Sequence, residues 1–379
     1  MRQKHVIAWF VGLALVTSGV LVSLVGSPNE ERDIKIGALI PLTGKLAGYG
    51  EDIRNGMMLA EEELKKEGVH IEVVFEDSAG DPKVALGGAR KLIDIDKTAV
   101  VVGGPGSSAN LAVAPLFEEG KTLFFPISNA GKLNDAGNYI FKIQHDLEFE
   151  MKPMAAQLIK KNLKKVGVLF DASSDSNVQG ADIFKSAVEK GGGTIVFFES
   201  FDSKTVNDFR TVLTRLRAVS PDALYLVTPG SSGGVIVRQT RELNLVLPIF
   251  GWSGFDSADF FAGAGASAEG VVITDQPFSC IEATSAYCTL YESQHKGRTP
   301  EQYGAHAYDH MQLLSRAFRE LRIKGPDIDD SEKVKLLAYF TSHTFEGVSG
   351  RLSFDGNGNI RETDFVFRVA KDGKFVEVK

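Results

Sequence analysis

Several short stretches of this chain carry residue types at spacings that chemistry uses. In VVVGGPGSSANLAVAP (100–115), Gly104, Gly106 and Ala109 fit G-x-G-x-x-A, the turn that seats a dinucleotide pyrophosphate. Gly120-Lys121-Thr122 has the ending of a phosphate-binding loop. GWSGF (251–255) approaches a nucleophile elbow. His306 and His310 are one helical turn apart and could grip a metal from one face. DGNGN (355–359) resembles the opening of a calcium loop.

Each fails in context. A dinucleotide site needs its turn after the first strand and an acid at the end of the next. Here the turn follows the third apolar run, and the next run ends in PISN. The early glycine of a phosphate loop is replaced by Pro115. Gly254 directly follows Ser253, which breaks G-x-S-x-G. No obvious third ligand accompanies the two histidines, which fit a helix-packing role in AYDHMQLL. Val366 stands where a calcium loop needs its glutamate, so DGNGN reads as a turn. No cofactor, metal or catalytic activity is expected, because no nucleophile, base and orienting group stand in a recognisable arrangement.

The elements that must position the remaining polar residues follow from hydrophobic patterning. From Asp33, short β-branched runs (IKIGALIP, HIEVVFED, TAVVVGG, TLFFPIS, YIFKIQ) alternate with amphipathic stretches, including a helix over about 50–67 and another opening at Asp81-Pro82. The pattern restarts near His145. A helix over 149–162 leads into KVGVLF, then a helix over about 181–190, TIVFFE, NDFRTVLTRLRAV, DALYLVT, GVIVRQTREL and LPIFGW. After GVVITDQP a long helical region spans about 284–321, and the tail reads as strands and hairpins. The fold class is α/β, with parallel sheets covered on both faces. No low-complexity linker separates the halves.

The chain has 379 residues, 43% hydrophobic, enough for two domains with sizeable cores. Its net charge of −7, with no basic stripe, argues against nucleic acid as a partner. Arg2, Lys4 and His5 precede a charge-free, mostly apolar run from Val6 to Gly26. Residues 1–32 therefore read as a signal peptide or an N-terminal membrane anchor, and the rest as exported. Cys280 and Cys288 are the only cysteines. Within one helix their Cα atoms would lie roughly 12 Å apart, too far to bridge. A disulfide requires Cys280 to fold back onto a helix start near Cys288; the alternative is two free thiols.

Four segments in order, IGALIPLTGKLAGYGEDIRNGMMLA, EDSAGDPKVALGGARKLI, VVVGGPGSSANLAVAPLFE and DFRTVLTRLRAVSPDALYLV, together resemble periplasmic solute-binding proteins of the branched-chain amino acid type, the receptors of ABC importers. The resemblance runs from Asp33 to Lys379. It implies two doubly wound lobes joined by three crossovers, near Gln144, Asp275 and Val348, with a small ligand held between them. Lobe 1 would comprise 33–144 plus 275–347, and lobe 2 would comprise 145–274 plus 348–379. The function implied is delivery of a small carboxylate-bearing solute to an ABC permease. The alternatives are a sensor domain of the same fold with a separate membrane partner, or a receptor for a neutral amide.

The resemblance also assigns the site. Gly106, Ser107 and Ser108 match the turn that holds the ligand carboxylate, through helix N–H groups and hydroxyls. A bare helix cap at Ser107 is the rival reading. Tyr49 matches the aromatic of the first loop, and Ser128, Asn129 and Ala130 match the next ligand loop, with Ala130 in place of a threonine. In the second lobe Asn177 falls near one family tyrosine and Pro229 or Gly230 at another. Ser253 replaces the glutamate that pairs the ligand ammonium. Losing that acid disfavours an ordinary α-amino acid in the usual pose by roughly 3–5 kcal/mol. Asp171, Asp175 or Asp256 could substitute for it, and Trp252 offers a face for an aromatic ring, or packs in the core.

Overall fold

The computed structural model describes residues 33–277, 280, 285–361 and 365–378. The N-terminal segment 1–32, read as signal or anchor, lies outside the described residues. Among them, no helix is long and apolar enough to cross a membrane.

The first lobe begins with β1 (Ile34–Ile40), α1 (Ala47–Lys66), β2 (Ile71–Asp77), α2 (Pro82–Arg90), β3 (Val100–Gly103), α3 (Ser107–Glu119) and β4 (Leu123–Pro126). Its strands form a parallel sheet ordered β2-β1-β3-β4. Period-two alternation explains why the central strands β1 and β3 are largely apolar, since both of their faces are covered. Ile36, Ala38, Val100 and Val102 pack into one core with Met57 of α1, and Leu39 and Val101 pack into the other with Val113 and Phe117 of α3. The expected strand YIFKIQ is not one. It contributes only isolated bridges, Ile140 to Phe124 and Lys142 to Asn359.

The second lobe contains α4 (Glu148–Lys160), β5 (Lys165–Asp171), α5 (Asp175–Lys190), β6 (Thr194–Phe201), α6 (Arg210–Ala218), β7 (Ala223–Val227), α7 (Gly230–Glu242), β8 (Ile249–Gly251), α8 (Ala258–Ala264) and β9 (Val272–Asp275). The chain then returns to the first lobe as α9 (Ala286–Gln294), α10 (Gln302–Leu321), α11 (Asp330–Ser342) and the antiparallel hairpin β10 (Thr344–Gly347) and β11 (Gly350–Ser353). The expected single helical region over 284–321 is two helices, parted by a segment containing Gly297 and Pro300. Helix α11 has a full capping box, Asp329 with Glu332. Finally β12 (Val366–Lys371) and β13 (Lys374–Glu377) add antiparallel to the far edge, giving β13-β12-β9-β8-β7-β5-β6.

The third crossover differs from expectation. Val348 donates its N–H to Asp309 Oδ1 of α10, and Leu352 and Phe354 lie in the first lobe's core. The hairpin therefore belongs to the first lobe, and the passage falls between Ile360, packed against that core, and Val366. DGNGN is a self-capped turn, with Asp355 Oδ1 accepting from the N–H groups of Asn357 and Asn359. The first passage is at Gln144, between Ile143 in one core and Leu147 in the other. Asp275 ends β9, fully buried beneath Arg368 of β12, whose Nη1 donates to it at 2.7 Å.

Within the first lobe, α1 and α10 touch at Gly56 and Gly304, where a Cβ on Gly56 would collide with the Gly304 carbonyl. Asp52 Oδ1 of α1 accepts from Tyr291 Oη at 2.9 Å, which ties in α9. A disulfide joins Cys280 to Cys288, in the first turn of α9, with a Cα separation of 5.5 Å.

Candidate functional site

The glycine-rich stretch ends β3 and opens α3. Gly106 is the N-cap, in the left-handed region at φ +119°, and an added Cβ would press on Gly80 Cα at 3.1 Å. Only glycine meets both demands. The loop is braced by Asn110, whose Nδ2 donates to the Gly104 carbonyl at 2.9 Å. Ser107 is thus the first helical residue and not the cap. Its N–H and the next two stand at a helix start, where backbone donors lack intrahelical partners. Its hydroxyl lies 3.1 Å from that of Ser128, in the loop after β4. Two buried hydroxyls and a helix N-terminus therefore face one point, an arrangement suited to an anion.

That point borders a cavity of about 350 Å³ between the lobes. The first lobe contributes Gly106, Ser107, Ser108, Ser128, Asn129, Tyr49, Gln144 and Tyr303 to its wall. The second contributes Asp171, Asn177, Trp252, Pro229, Gly254, Lys204 and serines 173, 174, 176 and 203.

Tyr49 lies in the first turns of α1, not in a loop. Its hydroxyl donates to the Gly254 carbonyl at 2.6 Å and accepts from the Gly230 N–H at 2.7 Å, both across the cleft. Burial holds its pKa above the ordinary tyrosine value, so it remains a donor. Its ring lies 4.7 Å from that of Tyr303 of α10. Trp252 turns its Nε1 to the Thr228 carbonyl at 2.9 Å and packs in the second core while bordering the cavity.

Further polar contacts span the cleft. Ser108 Oγ donates to Asp175 Oδ2 at 3.0 Å, and Lys132 Nζ reaches Asp175 Oδ1 at 3.1 Å. Gln179 Oε1 accepts from the Gly131 N–H at 3.1 Å, and Lys45 Nζ donates to Asn207 Oδ1 at 2.8 Å. Glu301, at the start of α10, accepts from the Ala258 N–H at 2.8 Å. Burial and the nearby Asp52 raise the Glu301 pKa. The lobes are closed on one another.

Three expected residues are placed elsewhere. Ala130 is buried in the first lobe's core, in one cluster with Leu133 and Phe117, and does not border the cavity. Gly230 begins α7 and meets Tyr49 through its backbone, without bordering the cavity. Ser253 is also off the wall. Its N–H and hydroxyl donate to Glu150 Oε2 and Oε1 at 2.9 and 2.8 Å, and His145 Nε2 sits 2.9 Å from the same Oε1. Glu150 of α4 is fully buried. An acid thus stands beside the position from which the sequence had lost one, but both its oxygens are engaged.

Sequence reasoning missed Glu150, Tyr303 and the cavity role of Gln144. All three reach the site by packing, and no local motif marks them. His306 and His310 are buried on α10, and burial pushes both down to about 3, so they are neutral. Among the described residues no group of three or more His, Cys, Asp and Glu side chains is arranged to hold a metal.

Residues 33–374 match the pattern of the periplasmic binding protein family. Over 370 residues the chain is 26% identical to a Leu/Ile/Val-binding protein of Rhizobium johnstonii, covering 96% of this chain and 99% of the relative. A solved branched-chain amino acid transporter substrate-binding protein from Streptococcus pneumoniae, in complex with isoleucine, has a TM-score of 0.80 and 26% identity, covering 92% of this chain and 99% of its own. A solute-binding protein of an ABC transporter from R. palustris, in complex with benzoate, shares the fold at a TM-score of 0.83 and 21% identity, over 91% and 95% of the two chains. With two α/β lobes, a cleft between them and a match over nearly the whole described chain, this protein belongs to the periplasmic binding protein family.

Proposed function

We propose that this protein is an extracytoplasmic receptor that closes around a small carboxylate and presents it to an ABC permease. The observation that carries the reading is the convergence of the α3 N-terminus, Ser107 Oγ and Ser128 Oγ at the cavity. Hydrogen bonds to a charged acceptor are worth about 1.5–3 kcal/mol each, so this one corner can supply much of a small ligand's affinity. The Rhizobium relative is named for leucine, isoleucine and valine, and the Streptococcus protein holds isoleucine; each of these ligands ends in a carboxylate. Closure follows because a ligand anchored on the first lobe also touches the second, and so stabilises the closed state over the open one.

The test is calorimetric titration of the purified full-length protein with matched acids and primary amides, in wild type and Ser107→Ala. The acids are expected to bind and their amides to bind at least about tenfold more weakly, with Ser107→Ala weakening only the acids. Equal binding of acid and amide would overturn the carboxylate assignment.

A further inference from the structure

Several carboxylates stand near enough to the cleft to meet a ligand cation, and their surroundings separate them. Asp81 borders the cavity, but its Oδ2 pairs with Lys204 Nζ at 3.3 Å and its Oδ1 accepts from the N–H groups of Lys83 and Val84. Asp256 Oδ2 accepts from Arg368 Nη1 at 2.9 Å, and the residue does not border the cavity. Asp175 has both oxygens engaged, one by Ser108 and one by Lys132. Asp171 differs. It ends β5, is 1% exposed and borders the cavity. Its Oδ1 accepts from the N–H groups of Ser173 and Ser203, both at 3.0 Å, while its Oδ2 has no hydrogen-bond partner among the described residues.

The wall around Asp171 does not supply that partner. Ser173 and Ser203 pair their hydroxyls with each other at 3.2 Å. Lys204, the cation on this wall, reaches Asp81 at 3.3 Å. A buried carboxylate oxygen without a donor is costly, so a ligand donor that meets it is strongly favoured. Charge points the same way. Of the other charged residues on the wall, Asp81 pairs with Lys204, and Lys45 donates to Asn207; a ligand carboxylate at α3 therefore adds a negative charge to a cleft where Asp171 forms no ion pair among the described residues. A cationic group on the same ligand offsets both.

We propose that Asp171 is the specificity-determining residue of the cleft, meeting the ammonium of a zwitterionic ligand whose carboxylate sits at the α3 N-terminus. It takes the role that Ser253 cannot, and takes it from the second lobe. The two ends of the ligand are then held by different lobes, so the ammonium contact forms only on closure. This rests on the carboxylate-receptor reading above.

The test uses matched pairs that differ in the ammonium alone: L-leucine with 4-methylpentanoate, L-phenylalanine with 3-phenylpropanoate, and 4-(aminomethyl)benzoate with 4-methylbenzoate. Titrated into the full-length protein, the ammonium member of at least one pair is expected to bind about tenfold or more tightly than its twin. Asp171→Asn should abolish that preference by weakening the ammonium member, with its twin unchanged or tighter. If Asp171→Asn does not fold, Asp171→Ser removes the same charge and keeps an oxygen for the Ser173 and Ser203 N–H groups. Twins that bind wild type equally, or a preference that survives loss of the charge, would overturn the role of Asp171 and leave the carboxylate receptor standing. Failure of every carboxylate to bind would overturn both.

Discussion

The hydroxyl of Tyr49, on the first helix of one lobe, is 2.6 Å from the carbonyl oxygen of Gly254 in the other and accepts the Gly230 N–H at 2.7 Å. One buried side chain thus satisfies two backbone groups across the cleft. Tyr49→Phe leaves both without a partner in the closed form, at about 1–3 kcal/mol. Ligand affinity should fall roughly ten- to a hundredfold, with the thermal stability of the ligand-free protein little changed. Titration calorimetry checks the first and differential scanning calorimetry the second. An unchanged Kd would show that this contact does not contribute to closure.

Ser253 and Glu150 form a second linked pair, buried at the junction of the lobes. Ser253→Ala should lower stability by about 1–3 kcal/mol, because Glu150 loses its hydroxyl donor. Restoring an acid by Ser253→Glu should be far worse, since two buried carboxylates would compete for one site. Adding Glu150→Ala to that variant should recover much of the loss. Urea denaturation of the three variants is the measurement. A Ser253→Glu protein as stable as wild type would refute the pairing.

Arg368 is 1% exposed and holds Asp275 and Asp256 through Nη1 and the Gln276 carbonyl through Nη2. Burial raises the Asp275 pKa, and Arg368 opposes that shift. Arg368→Met should therefore cost about 3–5 kcal/mol by leaving Asp275 without its counter-charge. The loss should be largest at neutral pH and smaller in acid, where Asp275 can take up a proton. A pH-independent loss would assign the effect to packing.

His306 and His310 make stability depend on pH. Their folded values, about 3, lie below the unfolded value near 6.5. The unfolded chain takes up their protons first as pH falls. Their contribution is complete above about 6.5 and is lost as pH drops towards 3. Asp309 has the opposite sign: burial holds it at about 6, so its contribution is present below the unfolded value near 3.9 and is lost as pH rises through 6. Replacing His310 by Leu should flatten the decline in Tm between pH 6.5 and 4. A slope equal to that of wild type would remove His310 as the cause.

Elements whose signals are local could be read from the chain alone. Alternation of apolar runs with amphipathic stretches predicted the α/β layers, because strand and helix periods are written within about ten residues. VVVGGPGSSANLAVAP carried its own geometry, since Gly106, a helix start and two serines are all contained in it. Helix α11 was equally open to reading through Asp329 and Glu332, although no helix was assigned there. Partnership between distant residues came from the folded arrangement. Glu150 meets Ser253 across 103 residues and Tyr49 meets Gly254 across 205, and no local pattern encodes such pairs. The hairpin at Val348 stays with the first lobe because Asp309, 39 residues away, holds it, a contact no local pattern at Val348 announces. Asp171 ends a strand like any other in the sequence; only the folded cleft buries it at the cavity with its Oδ2 unpartnered.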